Sequence, residues 1–350
     1  MEADFIIVGQ GIAGTVLADH LIQCGKRVLV FDEPGLSNSS KVAGGLYNPV
    51  TGRKMVKTWL ADDLFPYLLD YYRDLQNRLS SRFLIETPIY RPFLSIEEQN
   101  EWMGKSSEVT YKPYVKRVFD QSGYGDHIKD EYGGLLLDQS GYVDTALMVD
   151  SFRTYLLEEG SLIEQVFDDS RLEFSEDGVR YLGHTADKVI FSDGPLLTRN
   201  KFFHWLPMRP VKGELIFIKV QEDFKAIYNR GVFIIPLGGG ICKVGATYDH
   251  QNLDNEATEK AKAQLIEKLS GLIKLPFEVV NQVAGIRPAT KDRRPLLGVH
   301  PENERIAVFG GLGAKGVSLA PYFGKQFVEY LTNENELPEA ANIKRFFSLY

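Results

Sequence analysis

The stretch "DFIIVGQGIAGTVLADHLIQCGKRVLVFD", residues 4–32, constrains the fold of this chain more than any other. It opens on a short unbroken apolar run, the mark of a strand covered on both faces. Gly9, Gly11 and Gly14 then stand in the spacing G-x-G-x-x-G, and Ile12, Val16, Leu17 and Leu21 fall on one helical face. Gly25 supplies a helix stop, and "RVLVFD" reads as a second buried strand, so the whole is a parallel βαβ unit. Asp32 ends that second strand, 23 residues after Gly9. Each glycine has a physical task in this setting. Gly9 permits a tight turn, Gly11 lets backbone approach a pyrophosphate, and Gly14 lets helix pack on strand. The helix start, with Ile12 and Ala13, offers N–H groups to an anion. Asp32, with Glu33 beside it, is placed to accept hydrogen bonds from a ribose diol. The pattern predicts a dinucleotide site. It does not separate NAD from FAD, because both carry an ADP moiety.

The chain has 350 residues, more than the roughly 100–200 of one ordinary domain, so two domains are expected. Its net charge of −7, with no long basic run, weighs against a nucleic-acid partner. Cys24 and Cys242 belong to no CxxC or Cys/His cluster and read as reduced thiols. No signal peptide is expected ahead of the first strand, and no apolar run approaches the ~18 residues of a membrane helix. A cytoplasmic protein without membrane insertion is expected. The six histidines, at 20, 127, 184, 204, 250 and 300, show no ligand spacing, and no metal site is predicted.

Helical spacing recurs from Trp59 to about Leu79, and "DTALMVDSFRTYLLEEG" predicts a helix with Asp144 as N-cap and Gly160 as stop. "DKVIFSDG" is another buried strand ending in a turn. After residue 210 the pattern changes to alternating strands: "ELIFIKV", then "GVFIIPLGGGICKVGATY", a hairpin turning at Gly238–Gly240. An amphipathic helix is predicted from Asn255 to Ile273. The α/β pieces thus lie at the start, middle and end of the chain, with antiparallel pieces between them. That order predicts a discontinuous nucleotide-binding domain, residues 1–75, 143–206 and 283–350, and an inserted substrate domain, residues 76–142 and 207–282. The size of the pocket is expected to depend on residues 83–138.

The far end of the chain favours FAD. "GGLGAKGVSLAP", residues 310–321, crowds glycines into a turn that lets backbone lie against a flat ring. The helix after it places Leu319, Phe323, Phe327 and Leu331 four apart, and its N-terminus would aim positive partial charge at the pyrimidine edge of a flavin. The stretches "VGQGIAG…VLVFD", "SSKVAGGLYNP", "GYVDTALMV", "VIFSDG", "PVKGELIFI", "FIIPLGGGICKVGATY", "AGIRPATKDRRPLLG" and "GLGAKGVSLAP" resemble, in this order, the flavin-dependent amine oxidoreductases of the D-amino-acid oxidase superfamily. The branch is that of glycine oxidase, sarcosine oxidase and the oxidoreductase half of the bifunctional tRNA-modifying enzyme.

The resemblance implies an α/β Rossmann-like FAD-binding domain of the GR2 type with an inserted, mostly antiparallel α+β substrate domain. It assigns Ser39, Ser40, Ala43, Gly44 and Gly45 to the loop around the ribityl chain and flavin edge, and Val166 to the adenine. Ser192, Asp193 and Gly194 go to a turn beside the pyrophosphate. Leu312, Gly313, Ala314, Lys315, Gly316 and Val317 go to the segment under the pyrimidine ring. FAD is expected to be non-covalent, since neither cysteine sits where the family attaches it.

Arg287 matches the arginine that clamps the substrate carboxylate, or it pairs with an internal acid such as Asp292 or Glu214. Its planar fork suits a carboxylate, and Pro288 restrains its backbone. Phe233, Tyr248 and Tyr47 match positions near the substrate, and Lys315 sits one place from the second basic residue of glycine oxidase, at Ala314. Arg293 and Arg294 are assigned to surface or structural pairing. The reading that results is an FAD-dependent oxidase or dehydrogenase of a small amino acid or N-substituted glycine, with oxygen or another acceptor. The alternatives are a tRNA-base oxidoreductase, supported by a basic stripe at Arg53, Lys54 and Lys57, a hydroxy-acid or polyol-phosphate dehydrogenase, and a flavin-binding module without turnover.

Overall fold

The computed structural model describes residues 2–33, 35, 39–52, 54–333 and 335–350; Arg53 of the basic stripe lies outside them. Six strands form one sheet in the order Leu162–Ile163, Val28–Phe31, Phe5–Val8, Lys188–Phe191, Ile306–Gly310, Leu296–Val299. All neighbours in it run parallel except the last pair. Phe5–Val8 and Val28–Phe31 are buried at every position, which is why both are unbroken apolar runs in the sequence. The connecting helix spans Ile12–Gln23. It packs against the last long helix, Gly316–Asn333, where His20 Nε2 lies 3.0 Å from the carbonyl oxygen of Pro321.

Eight strands form the second sheet, in the order Glu278–Arg287, Val211–Lys219, Ile241–Gly245, Val232–Gly238, Ile227–Arg230, Ile89–Pro92, Gly134–Leu137, Val115–Phe119. It is antiparallel throughout except where Ile227–Arg230 meets Ile89–Pro92. The hairpin turns where expected: Gly238, Gly239 and Gly240 all take positive φ, and Gly238 pairs with Ile241. Asp144 caps its helix, Thr145–Glu158, by accepting from the Leu147 N–H at 3.1 Å. The amphipathic helix is shorter than its sequence period, Glu259–Ser270, because Thr258 caps it and Gly271 ends it.

Three of the expected domain boundaries fall inside single elements. The helix Ala61–Arg78 runs across 75/76, the strand Glu278–Arg287 runs across 282/283, and the strand Gly141–Val143 runs across 142/143. The reason in the second case is cross-strand pairing: register with Val211–Lys219 holds from Glu278 to Arg287, so Arg287 itself belongs to the eight-stranded sheet.

The junction of first strand and first helix depends on contact too close for any side chain. A Cβ on Gly14 would lie 1.8 Å from the carbonyl oxygen of Gly9. Replacing Gly14 by alanine must therefore displace the turn. We expect a loss of about 1–3 kcal/mol, read as a lower urea midpoint at unchanged slope; an unaltered midpoint would contradict this packing.

Candidate active site

A cavity of about 1220 Å³ is lined from both sheets. That exceeds the roughly 300–1,000 Å³ of a pocket for one drug-sized ligand and leaves room for a cofactor and a substrate. None of its lining residues comes from 60–144, so the segment 83–138 does not set its size, contrary to expectation. Those residues extend the far edge of the eight-stranded sheet instead.

One end of the cavity is the turn after the first strand, with Gly9, Gly11, Ile12 and Ala13 on its wall and Gly14 packed behind. Asp32 Oδ1 accepts from the Gln10 N–H at 2.9 Å, and Oδ2 accepts from Arg153 at 2.8 Å. Arg153 also donates to Gln10 Oε1 and to Glu164, so the acid expected to face a ribose is already oriented. Arg153 carries no motif in the sequence; it arrives from helix Thr145–Glu158 through tertiary packing. Glu33 and Gly194 line the wall nearby. Ser192 Oγ and Asp193 Oδ1 are buried there without hydrogen-bond partners among the described residues. Burial pushes the Asp193 carboxyl up to about 7, opposed by the Asn200 amide at 3.4 Å.

The loop Ser39, Ser40, Ala43, Gly44, Gly45 forms the middle of the wall. Ser40 Oγ accepts from the Ile12 N–H at 2.9 Å, and Ser39 Oγ donates to the Ile286 carbonyl at 2.7 Å. Lys243 donates to the Ala43 carbonyl at 3.1 Å. The loop is thereby tied to the nucleotide-side helix and to the roofing sheet at once. Lys243 was not singled out in the sequence, where a lysine on an alternating strand looks solvent-facing.

At the other end stands Arg287. Its Nη1 donates to the carbonyls of Thr247 at 3.1 Å and Lys212 at 3.4 Å, and its guanidinium carbon lies 4.6 Å from the Tyr248 ring centroid. Burial lowers its pKa, and Tyr248 opposes the shift. No carboxylate among the described residues pairs with it. Asp292 is taken by Arg345 at 3.0 Å, and Glu214 accepts from Thr258 and Gln282. The internal pairing considered from the sequence is therefore absent. The guanidinium lies flat over Gly213, where a Cβ would come within 2.1 Å of Nη2. Gly213 pairs with Gly285 across the strands, so the sheet is bare beneath the arginine. Only strand register reveals Gly213 as part of the site.

Phe233 and Tyr248 line the same end, as do Leu312, Gly313, Ala314, Lys315, Gly316 and Val317. The Gly313 N–H donates to the Pro288 carbonyl at 3.1 Å, joining the late glycine turn to the arginine loop. Lys315 donates to Thr58 Oγ1 at 3.4 Å, and its pKa is lowered by desolvation and by nearby Arg294 and Arg293.

Two assignments move. Tyr47 is wholly buried, packs at 6.4 Å from Phe65, and does not line the cavity; burial raises its hydroxyl pKa. A two-residue strand turns its ring into the core. Val166 is 49% exposed and off the wall, while its neighbours Gln165 and Phe167 are on it. Arg294 departs from expectation, since it lines the cavity against the Trp59 ring with no ion pair among the described residues; Arg293 also lines the cavity but is exposed, as a surface residue was expected to be.

A glycine-rich turn at a helix start, an oriented acid on the next strand, and a roofing sheet with a half-buried cation fit a flavin-type oxidoreductase. A family profile described as FAD dependent oxidoreductase matches residues 4–330. The chain belongs to that family, and FAD is its cofactor. It is 25% identical to the glycine oxidase of Pseudomonas putida, over 97% of this chain and 98% of that one. It is 23% identical to the tRNA 5-methylaminomethyl-2-thiouridine biosynthesis bifunctional protein of Legionella pneumophila, over 86% of this chain and 46% of that one. In fold it is similar to the iminodiacetate oxidase of Chelativorans sp. BNC1, with TM-score 0.80, 18% identity and 98% of each chain covered. The residues present fit FAD: a cradle closed to side chains at Gly9 and Gly14, and unpaired Ser192 and Asp193 atoms on the wall beside it.

Gly213→Ala should force the Arg287 guanidinium from its seat while leaving bound flavin in place. We expect weaker binding of any carboxylate ligand by roughly tenfold or more, about 1.4 kcal/mol, at normal flavin content. An unchanged affinity would separate Gly213 from the arginine. Asp193 gives a pH signature in flavin-free protein. Its folded pKa is raised, so its contribution to stability is full below the unfolded value and is lost as pH rises through about 7. The Tm of Asp193→Asn relative to the parent should therefore increase from about pH 4 to about pH 7. A flat difference would remove the shift.

Proposed function

We propose that this enzyme oxidises the C–N bond of a small amino acid or N-substituted glycine. The observation that carries the reading is Arg287: a half-buried cation on the cavity wall, held by two carbonyls and a tyrosine ring, with no carboxylate of its own among the described residues. A desolvated guanidinium so placed is a seat for a carboxylate, bound through a planar two-point fork. Glycine oxidase and iminodiacetate oxidase, among the similar proteins, bear names that fit a carboxylate-bearing amine.

Bound FAD would supply the hydride acceptor: the substrate amine would be oxidised to an imine that water hydrolyses, with oxygen or another acceptor taking the two electrons onward. Within that scheme the chain's own residues position and desolvate. Arg287 holds the carboxylate and so restricts the α-carbon to one place. Tyr248 packs over the guanidinium and offers a hydroxyl to the substrate, and Phe233 excludes water from the roof. Lys315 puts positive charge at the flavin end of the wall, where a reduced ring gains negative charge. No side chain is needed as base when the amine arrives neutral. FAD is held non-covalently in this reading, since neither Cys24 nor Cys242 lines the cavity.

The test is anaerobic reduction of the purified flavoprotein by amino acids, sarcosine and N-substituted glycines. One class should bleach the flavin band. Arg287→Ala should raise the half-saturating concentration roughly 30- to 160-fold, the equivalent of about 2–3 kcal/mol for charge-assisted hydrogen bonds, with Arg287→Lys recovering part of it. Flavin that no amine reduces, yet a hydroxy acid does, would overturn the reading.

A further inference from the structure

The loop that leaves Arg287 returns two more arginines to the same wall. Arg293, Arg294 and Lys315 all line the cavity. The Arg294 guanidinium carbon lies 4.0 Å from the Trp59 ring centroid, while Lys315 reaches Thr58 Oγ1 at 3.4 Å. Thr58 and Trp59 are adjacent, so these contacts gather the two cations at one place. Arg293 holds a left-handed backbone, φ 59°, immediately before Arg294.

Among the described residues nothing acidic pairs with them. Asp292 is turned to Arg345 and to the Arg294 backbone N–H, both at 3.0 Å. Of the other lysines that line the cavity, Lys57 is paired with Asp62 and Lys41 with Asp150, while Lys291 stands on the same loop as the two arginines and adds to its positive charge. Among the described residues the carboxylates that line the cavity are Asp32, Glu33 and Asp193, all around the turn at the dinucleotide end. The placement relative to Arg287 is also fixed. Thr290 Oγ1 bridges the Arg294 carbonyl at 2.8 Å and N–H at 3.1 Å, and the Arg209 N–H holds the Ala289 carbonyl at 2.6 Å. One braced loop therefore presents two separate cationic points to one cavity. Crowded like charges without counter-charge are relieved by binding an anion.

We propose that Arg293, Arg294 and Lys315 form a second anion subsite, and that the substrate carries a second acidic group, carboxylate or phosphonate, beyond the carboxylate seated on Arg287. This rests on the amino-acid reading above for the first carboxylate. It makes the preferred substrate a dianionic amine and glycine itself a poor one.

The experiment uses the oxidised holoenzyme and non-oxidisable acids of matched length: butyrate, succinate and 3-phosphonopropionate. Binding is read from the perturbation of the flavin band, which needs no turnover. Succinate or 3-phosphonopropionate should bind at least about tenfold more tightly than butyrate, and which of the two is tighter identifies the second group. The preference should shrink as salt rises from about 10 mM to about 150 mM, an arm that needs no variant. It should fall to within about twofold in Arg293→Gln/Arg294→Gln and survive in part in Arg294→Lys. Equal binding of mono- and dianions by the parent protein would overturn the proposal, as would a preference that persists in the double variant. Displacement by a tRNA transcript with no response to the small dianions would overturn it in favour of a polyanion. If no amine bleaches the flavin but the dianion preference appears and is lost in the double variant, amine oxidation fails and the subsite stands.

Discussion

A guanidinium without a carboxylate, half-buried under a sheet, is the constraint to which the functional half of this protein is built. Removing a cation from water is costly unless something replaces its hydration. Here the replacement is partial: two backbone carbonyls and the face of Tyr248. The glycine pair Gly213 and Gly285 clears the floor, and the strand Glu278–Arg287 delivers the side chain from an edge of the eight-stranded sheet. Each of these features would be wasteful in a structural ion pair. Together they leave the arginine able to bind an incoming anion.

The two sheets are held to a common cavity by a few polar staples. Ser39 reaches the Ile286 carbonyl, Lys243 reaches Ala43, and the Gly313 N–H reaches Pro288. All three fasten nucleotide-side loops to the strands and loop that carry Arg287. The geometry between the two walls is thus fixed on backbone carbonyls, with the Ser39 and Lys243 side chains and one backbone N–H as donors. That arrangement suits a reaction whose demand on the protein is distance and orientation. It also means that the charges on the wall, and not its framework, are where substrate preference is written.

Charge is distributed unevenly along the cavity. Acids cluster at the turn following the first strand, where Asp32 is engaged by Arg153 and the Asp193 carboxyl is pushed up to about 7 by burial. Cations gather at the opposite end, around Arg287 and Lys315. A net charge of −7 for the whole chain hides this polarity entirely. The field inside a cleft depends on which few groups face it, not on the sum over the surface.

Much of the framework was legible because it is local. The strand Phe5–Val8, the helix Ile12–Gln23, the cap at Asp144 and the turn at Gly238–Gly240 follow from apolar period, capping chemistry and glycine spacing within a few residues. Those signals sufficed for the nucleotide-binding turn, and the ordered set of motifs reached as far as the family, FAD and the placing of Arg287 on the cavity wall. They failed where a residue's role depends on what lies across from it. Tyr47 and Val166 are near the site in sequence but turn away, one into the core and one to solvent. Gly213 and Lys243 stand in matching stretches with no role assigned there, Arg153 lies outside them, and all three enter the site through strand register and helix docking. Arg293 and Arg294 resembled an ordinary charged loop until Asp292 was found facing Arg345. Local propensity determined which elements form and what cofactor they receive. Pairing across long sequence separations decided which charges remain uncompensated in the cavity, because a counter-ion is a fact of space and not of spacing.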